Sequence, residues 1–394
     1  MKISRRVQGV KPSPTLSLQA RAKELKAAGE KVMSLAAGEP DFETPEHIRQ
    51  AAVEAMEAGH TGYAPSAGVP PLREAVRNLY ARELGLSYGD DQVVVSCGAK
   101  QCLFNAFQTL LDPGSEAIIQ APYWVSYPDQ VQLCGAKPVI LPAPESGPGL
   151  NRQALASAVN ERTRIIVLNS PCNPSGAVLS NSDLKEVARQ AVEHDLIVVS
   201  DDIYDKLIYD GNKFTSIVQL DPDMKDRAVL INGVSKSYAM TGWRLGYAVG
   251  PKEIIGGMRK VQDQSTSNAV TFVQYAAIAA LQSPPEVVGK MVRAFDDRRR
   301  KLVDMLNAIE GVSCDLPGGT FYSFPSVAGF LERTGSDIPD AYKLSDLLLE
   351  QERVAVMPGD PFGAPGYLRI SFAASMEVIE EGCARVRRFI EAHG

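Results

Sequence analysis

One lysine near the middle of the chain has neighbours that give it chemistry. Residues 232–246 read NGVSKSYAMTGWRLG, so Lys236 is flanked by Ser235 and Ser237, with Arg244 eight positions on. An amine that is partly desolvated beside another cation has its charged form disfavoured and becomes nucleophilic near neutral pH. Hydroxyls and a guanidinium close by are what a phosphate dianion needs. Together they suggest a pyridoxal phosphate site, with Lys236 holding the aldehyde as a Schiff base. A solvated lysine on a polar loop would carry the same short motif, so the surrounding elements have to decide.

The apolar runs 228–231 and 245–249 are short and bounded by glycine, which predicts two buried strands with Lys236 on the loop between them. From Asp91 the pattern alternates, with strands at 92–96, 116–120, 137–141, 163–168 and 196–200 and helices between them. Such alternation implies parallel strands with helical crossovers, a doubly wound sheet covered on both faces. The unusual residues fall just past the strand ends: CGAK at 97–100, APYW at 121–124, NSPCNPSG at 169–176 and DDIY at 201–204. Open α/β sheets bind ligands at that edge.

The flanking segments are less regular. The opening arm through Pro14 is basic and reads as extended, followed by a helix at 16–28 and a strand at 32–37 that runs into GEPDF at 38–42. Gly38 marks a sharp turn where backbone could approach a ligand, or simply a turn. Thr44 reads as the cap of a helix with Pro45 at its first position, running to about 58, before a turn-rich loop around Tyr63 and a helix at 71–83. Long helical stretches at 252–282 and 286–309 precede mixed strand and helix to the end of the chain. The expected architecture is α/β, with residues 1–45 forming an arm and part of a small domain and 46–284 a large domain. Residues 285–394 complete the small domain through an interdomain helix.

Composition narrows the function classes. The chain has 394 residues, 45% apolar and 22% charged, an ordinary globular balance. A net charge of -6 argues against a nucleic-acid partner, and the compact basic run 298–301 reads as a solvated helix face. Six cysteines without C-x-x-C pairs and four scattered histidines propose no metal site. Buried reduced thiols, the lack of a secretory signal pattern and an apolar stretch at 269–281 too short for a bilayer make a cytoplasmic protein without membrane partners the expectation.

Taken together, SKS at 235–237, GWR at 242–244, the 169–176 loop, Asp201-x-x-Tyr204 and LRIS at 368–371 resemble the class I pyridoxal-phosphate aminotransferases of fold type I. The likeness covers essentially the whole chain. RVxxVKPS from Arg6, AGEPDF at 37–42 and APYWVSYP at 121–128 are similar to bacterial aspartate aminotransferases of subgroup Ib. Two positions depart from the pattern: Cys172, where the family often has asparagine, and Ala99, where many relatives have a second glycine. Neither removes a group the chemistry needs.

The resemblance implies roles residue by residue. Lys236 would hold pyridoxal 5'-phosphate and move a proton between substrate and cofactor, and Asp201 would face the pyridine nitrogen. Tyr204 and Asn173 would bond the phenolic oxygen, and Trp124 would stack on the ring. Gly98, Ala99 and Lys100 would cradle the phosphate at a helix N-terminus, with Ser235 and Arg244 completing the clamp. Tyr63 would reach in from the partner of a homodimer with shared active sites. Arg369 would bind the substrate α-carboxylate beside a Gly38 N–H, with Trp124 and Asn173 close by, and Lys100, Ser13 and Thr15 would meet a distal carboxylate. Taken singly, Asp201 could cap a helix, Tyr204 and Trp124 could be core aromatics, Asn173 a turn residue, and Lys100, Ser13 and Thr15 plain polar residues.

The implied activity is ping-pong transfer of an amino group from L-aspartate to 2-oxoglutarate, amino-acid and 2-oxo-acid substrates sharing one pocket. Its rivals are the same chemistry on prephenate, aromatic amino acids or alanine. A cofactor-binding regulatory module without turnover stands further off, because Lys236 and Arg369 are both present, and a non-transaminating lyase of the same fold is a third possibility that product analysis would tell apart.

Overall fold

The computed structural model describes residues 3–10, 12, 14–144, 147 and 149–394. Its centre is a seven-stranded sheet in the order Val93–Ser96, Gly246–Val249, Ala228–Gly233, Ile197–Asp201, Thr163–Asn169, Glu116–Gln120, Lys137–Leu141. Gly246–Val249 runs antiparallel to both of its neighbours, and the remaining pairings are parallel. Successive side chains leave opposite faces of a strand, and the two apolar layers follow that alternation. Val93, Val95, Ile166, Val198 and Leu230 pack under the helices Glu46–Glu57, Pro70–Leu84, Asn181–Glu193 and Thr271–Leu281. Val94, Ile165, Val199 and Val229 face Ala99–Leu110, Ser126–Leu133 and Lys252–Asp263 on the other side. Helices on both faces make this the doubly wound sheet that the alternation predicts.

A second apolar core lies beyond the strand ends. The helix Pro285–Asn307 buries Met291, Phe295, Leu302 and Leu306 against Phe321, Phe330, Leu344, Phe372 and Phe389. A short antiparallel sheet orders Met357–Pro358, Leu368–Ser371 and Tyr322–Ser323, and Met33–Ser34 pairs in parallel with Val354–Ala355. Arg369 therefore sits mid-strand, with its backbone fixed by neighbours on both sides.

Five local expectations need correction, and each has a physical cause. The basic run 298–301 is not a solvated face throughout, since Arg299 is fully buried, its guanidinium paired with Asp210 and Asp296 and bonded to the Pro317 carbonyl. The opening arm is not wholly extended, since Arg5–Gln8 closes one helical turn. The strand at 32–37 shrinks to Met33–Ser34 because the carbonyls of Ala36 and Gly38 turn away to accept from Arg369 and Lys236. Thr44 does not cap the helix Glu46–Glu57; its hydroxyl donates to the Ala239 carbonyl at 2.7 Å and accepts from the Trp243 indole at 3.0 Å. The stretch 252–282 breaks between Asp263 and Thr271, where Ser267 adopts a left-handed φ of 63°. The polar run there competes for backbone hydrogen bonds.

Candidate active site

The carboxyl ends of several strands deliver the parts of a single cavity of about 380 Å³, within the range of roughly 300–1,000 Å³ usual for small-molecule sites. Ser96 leads to the Gly98 turn and Asn169 opens the asparagine loop, while Asp201 ends its strand and Gly233 leads to the Lys236 loop. Arg369 closes the cavity from the smaller sheet.

Lys236 stands half-buried, and its Nζ donates to the Gly38 carbonyl at 2.6 Å. Burial pushes its ammonium down to about 8, against an opposing pull from the Glu39 carboxylate and with help from the cations Arg369 and Arg244. The amine is thus available as a base far below the usual lysine range.

Asp201 is buried, and burial raises its carboxyl to about 6 despite a 2.6 Å hydrogen bond from the Tyr127 phenol. Adjacent Asp202 takes its bond from Ser200 Oγ at 2.6 Å, on the opposite side of the strand, and does not line the cavity. Asn169 braces the arrangement: its Nδ2 donates to the Asp201 carbonyl at 2.9 Å and its Oδ1 accepts from the Asn173 N–H at 2.9 Å. Tyr204 is buried with its phenol 3.3 Å from that of Tyr322, and burial raises its pKa.

Gly98 sits at φ 93°, ahead of the helix Ala99–Leu110, whose first residues Ala99 and Lys100 line the cavity. A side chain there would be strained at that φ, and its Cβ would come within 2.8 Å of the Arg244 guanidinium and push it aside. Arg244 itself holds a left-handed φ of 54°, a strained conformation of the kind concentrated at functional sites, and donates to the Thr241 carbonyl at 2.9 Å. Ser235 lines the cavity alongside it. Helix N-terminus, hydroxyl and guanidinium together make an anion cradle.

Arg369 is 2% exposed, with Nη1 donating to Asn173 Oδ1 at 3.1 Å and Nη2 to the Ala36 carbonyl at 3.2 Å. Its Nε is buried without a partner among the described residues. The guanidinium lies 4.3 Å from the Tyr322 ring centroid and 5.0 Å from that of Phe362. Among the described residues Arg369, Arg244 and Lys100 form no ion pair with a carboxylate. Lys100 stands over the Trp124 ring at 4.8 Å, its ammonium lowered by burial and by Arg244. Three cations without counter-ions in one cavity describe a site built for an anionic ligand.

The structure brings Gly38, Ala99, Lys100, Trp124, Asn173, Asp201, Tyr204, Ser235, Lys236, Arg244 and Arg369 to this one cavity. Tyr63 stands apart, 97% exposed. Ser13 and the Thr15 side chain lie outside the described residues. Sequence reasoning assigned no role to Tyr127, Asn169, Glu39, Thr241 or Tyr322, all of which line the cavity. Tyr127 had a signal: it lies three positions after Trp124 at the start of a helix, so both side chains can address one ligand.

Comparison with known proteins identifies the family. Residues 30–386 match the family model described as aminotransferase class I and II. A relative named aspartate aminotransferase, from Geobacillus stearothermophilus, is 45% identical over 393 residues, covering 100% of both chains. Another, from Cereibacter sphaeroides, is named aspartate/prephenate aminotransferase and is 44% identical over 385 residues, 96% of each chain. The crystal structure of the aspartate aminotransferase from Rhizobium meliloti superposes with a TM-score of 0.95 at 41% identity, over 99% of both chains. The chain belongs to the class I and II aminotransferases, and its fold is the fold type I of that family.

Proposed function

We propose that the enzyme transfers the amino group of L-aspartate to 2-oxoglutarate, yielding oxaloacetate and L-glutamate, with pyridoxal phosphate as cofactor. One observation carries the reading: a lysine amine lowered to about 8 shares a cavity with a buried arginine that has an unpartnered Nε. An amine for a carbonyl and a guanidinium for a carboxylate are the two ends of an amino-acid site.

The residues fit the cofactor. Asp201, Tyr204, Asn173 and Trp124 would hold its ring, the 98–100 backbone with Ser235 and Arg244 its phosphate, and Lys236 its aldehyde. Bound there, pyridoxal phosphate would supply the carbonyl carbon that carries the amino group and a ring able to take up an electron pair. Asp201 is buried with its carboxylate bonded only by the Tyr127 phenol and the Ile203 N–H among the described residues, so a cationic N–H beside it would draw it to its ionised form. Lys236, as free base, would take the proton from the substrate Cα and give it to the cofactor carbon that keeps the amino group, which is general base and acid work near neutral pH. Arg369 binds the α-carboxylate and, walled by Tyr322 and Phe362, keeps water from it. Lys100, at the Trp124 side of the cavity, meets the distal carboxylate of a dicarboxylic substrate.

Tyr63 is a bulky aromatic pointing away from its own chain, which supports a homodimer in which each copy lends the Tyr63 phenol to the phosphate clamp of the other's site. The separate apolar core around Phe295 and Phe372 supports a division into a large domain at 46–284 and a small one formed by 1–45 and 285–394. Among the described residues no helix is long and apolar enough to cross a membrane, and the six cysteines are unpaired, which supports the cytoplasm as its place.

Prephenate is the second amino acceptor to consider, because the Cereibacter relative is named for both substrates. The test is a comparison of kcat/KM for aspartate, alanine, phenylalanine and prephenate. Aspartate ranks first if the reading holds, and aspartate ranking last would end the claim to it.

A further inference from the structure

The loop that presents Tyr63 owes its shape to side chains far away in sequence. Thr271 Oγ1 donates to the Gly62 carbonyl at 2.6 Å, one residue before Tyr63. Three residues after Tyr63, the Ser66 carbonyl accepts from Gln262 Nε2 at 2.6 Å. Further on, the Val69 N–H donates to Gln274 Oε1 at 2.7 Å, and the Ala67 carbonyl accepts from the Val95 N–H at 3.0 Å. The tyrosine between these anchors is 97% exposed.

Gln262 does more than hold the loop. Fully buried, it also donates to the Val95 carbonyl at 2.7 Å and accepts from Ser96 Oγ at 2.5 Å and Asn105 Nδ2 at 3.1 Å. Both donors and both lone pairs of one amide are therefore used. Val95 and Ser96 end the strand that leads to Gly98, and Asn105 lies on the helix whose N-terminus forms the anion cradle. A fully satisfied buried network of this kind rigidifies what it joins.

We infer that Gln262 and Thr271 are positioning residues: they hold the Tyr63 loop in the shape that delivers the phenol into a second copy's cavity, and Gln262 ties that loop to the anion cradle of its own chain. The inference rests on the shared-site reading above. One buried amide then sets the phosphate-binding parts of two different sites, the cradle in its own and the phenol in the other.

The test is equilibrium binding of pyridoxal phosphate, followed by absorbance, to cofactor-free Tyr63→Phe, Thr271→Val and the double variant, with Gln262→Met as a harsher companion. Thr271→Val keeps the side-chain shape and removes one bond, so folding is preserved even if Gln262→Met fails to fold. Tyr63→Phe and Thr271→Val each weaken binding by about fivefold, the worth of an ordinary hydrogen bond. The double variant binds no more weakly than Tyr63→Phe alone, because Thr271 acts through the phenol. Pyridoxal without its phosphate binds all of them alike. If the Thr271→Val loss persists in full on the Tyr63→Phe background, Thr271 is merely structural and the inference falls. If Tyr63→Phe alone binds like wild type, the shared-site reading falls and takes the inference with it.

Discussion

The Tyr127 phenol donates to Asp201 Oδ2 at 2.6 Å, joining the helix after Trp124 to the end of a central strand. That bond opposes the burial that lifts Asp201 to about 6. Tyr127→Phe removes it, so Asp201 titrates higher than in wild type and is less ionised at neutral pH. Losing a hydrogen bond to a charged group weakens cofactor binding at pH 7 by about tenfold or more. Measured between pH 5 and 9, the acid limb of the binding profile moves up. An unchanged profile would separate Tyr127 from the cofactor.

Asp201 also makes a prediction about stability without cofactor. Its folded pKa lies above the unfolded value of 3.8, so its contribution is fully present below pH 4 and is lost as pH rises through about 6. A shift of that size corresponds to about 3 kcal/mol. Asp201→Asn should therefore stabilise the cofactor-free protein at pH 7 by up to that amount, and the gain should vanish near pH 4. Urea unfolding across the range tests it; a difference independent of pH would mean that ionisation is not the cause.

Lys236 has opposed charged neighbours whose removal should act in opposite directions. Arg369 depresses its ammonium and Glu39 raises it, with burial the larger effect. The rate at which cofactor-free enzyme captures pyridoxal phosphate should rise with a midpoint near 8. Arg369→Gln moves that midpoint up and Glu39→Gln moves it down. Movement of both in one direction would contradict the electrostatic picture.

Arg369→Lys keeps the charge but loses the planar fork. Every amino acid, dicarboxylic or not, should then bind about tenfold more weakly or worse, as expected for losing a charge-assisted pair. Steady-state KM values for aspartate, alanine and phenylalanine give the readout. A loss confined to aspartate would mean that Arg369 meets the distal carboxylate and that Lys100 has the other role.

Much of this site was legible because its parts are punctuated in the chain. The valine-rich strands and the Gly98, Asn173, Asp201 and Lys236 loops stand out by residue type and by their place after strand ends. What remained hidden is tertiary. Nothing in the sequence shows that Tyr127 points at Asp201, that Thr44 is spent on the Ala239 carbonyl and the Trp243 indole, or that Gln262 joins three segments. Those bonds cross more than 70 positions, where local propensity has no reach. The break between Asp263 and Thr271 was masked for a different reason, since the polar run 264–268 lies between two apolar-patterned helices and reads as a continuation of either.

The central claim is covalent, and one experiment addresses it directly. The enzyme is loaded with pyridoxal phosphate, reduced with borohydride, digested and mapped by mass spectrometry. The account predicts one pyridoxyl label per chain, on Lys236. A label on Lys100 or another lysine, or no label at all, would contradict it.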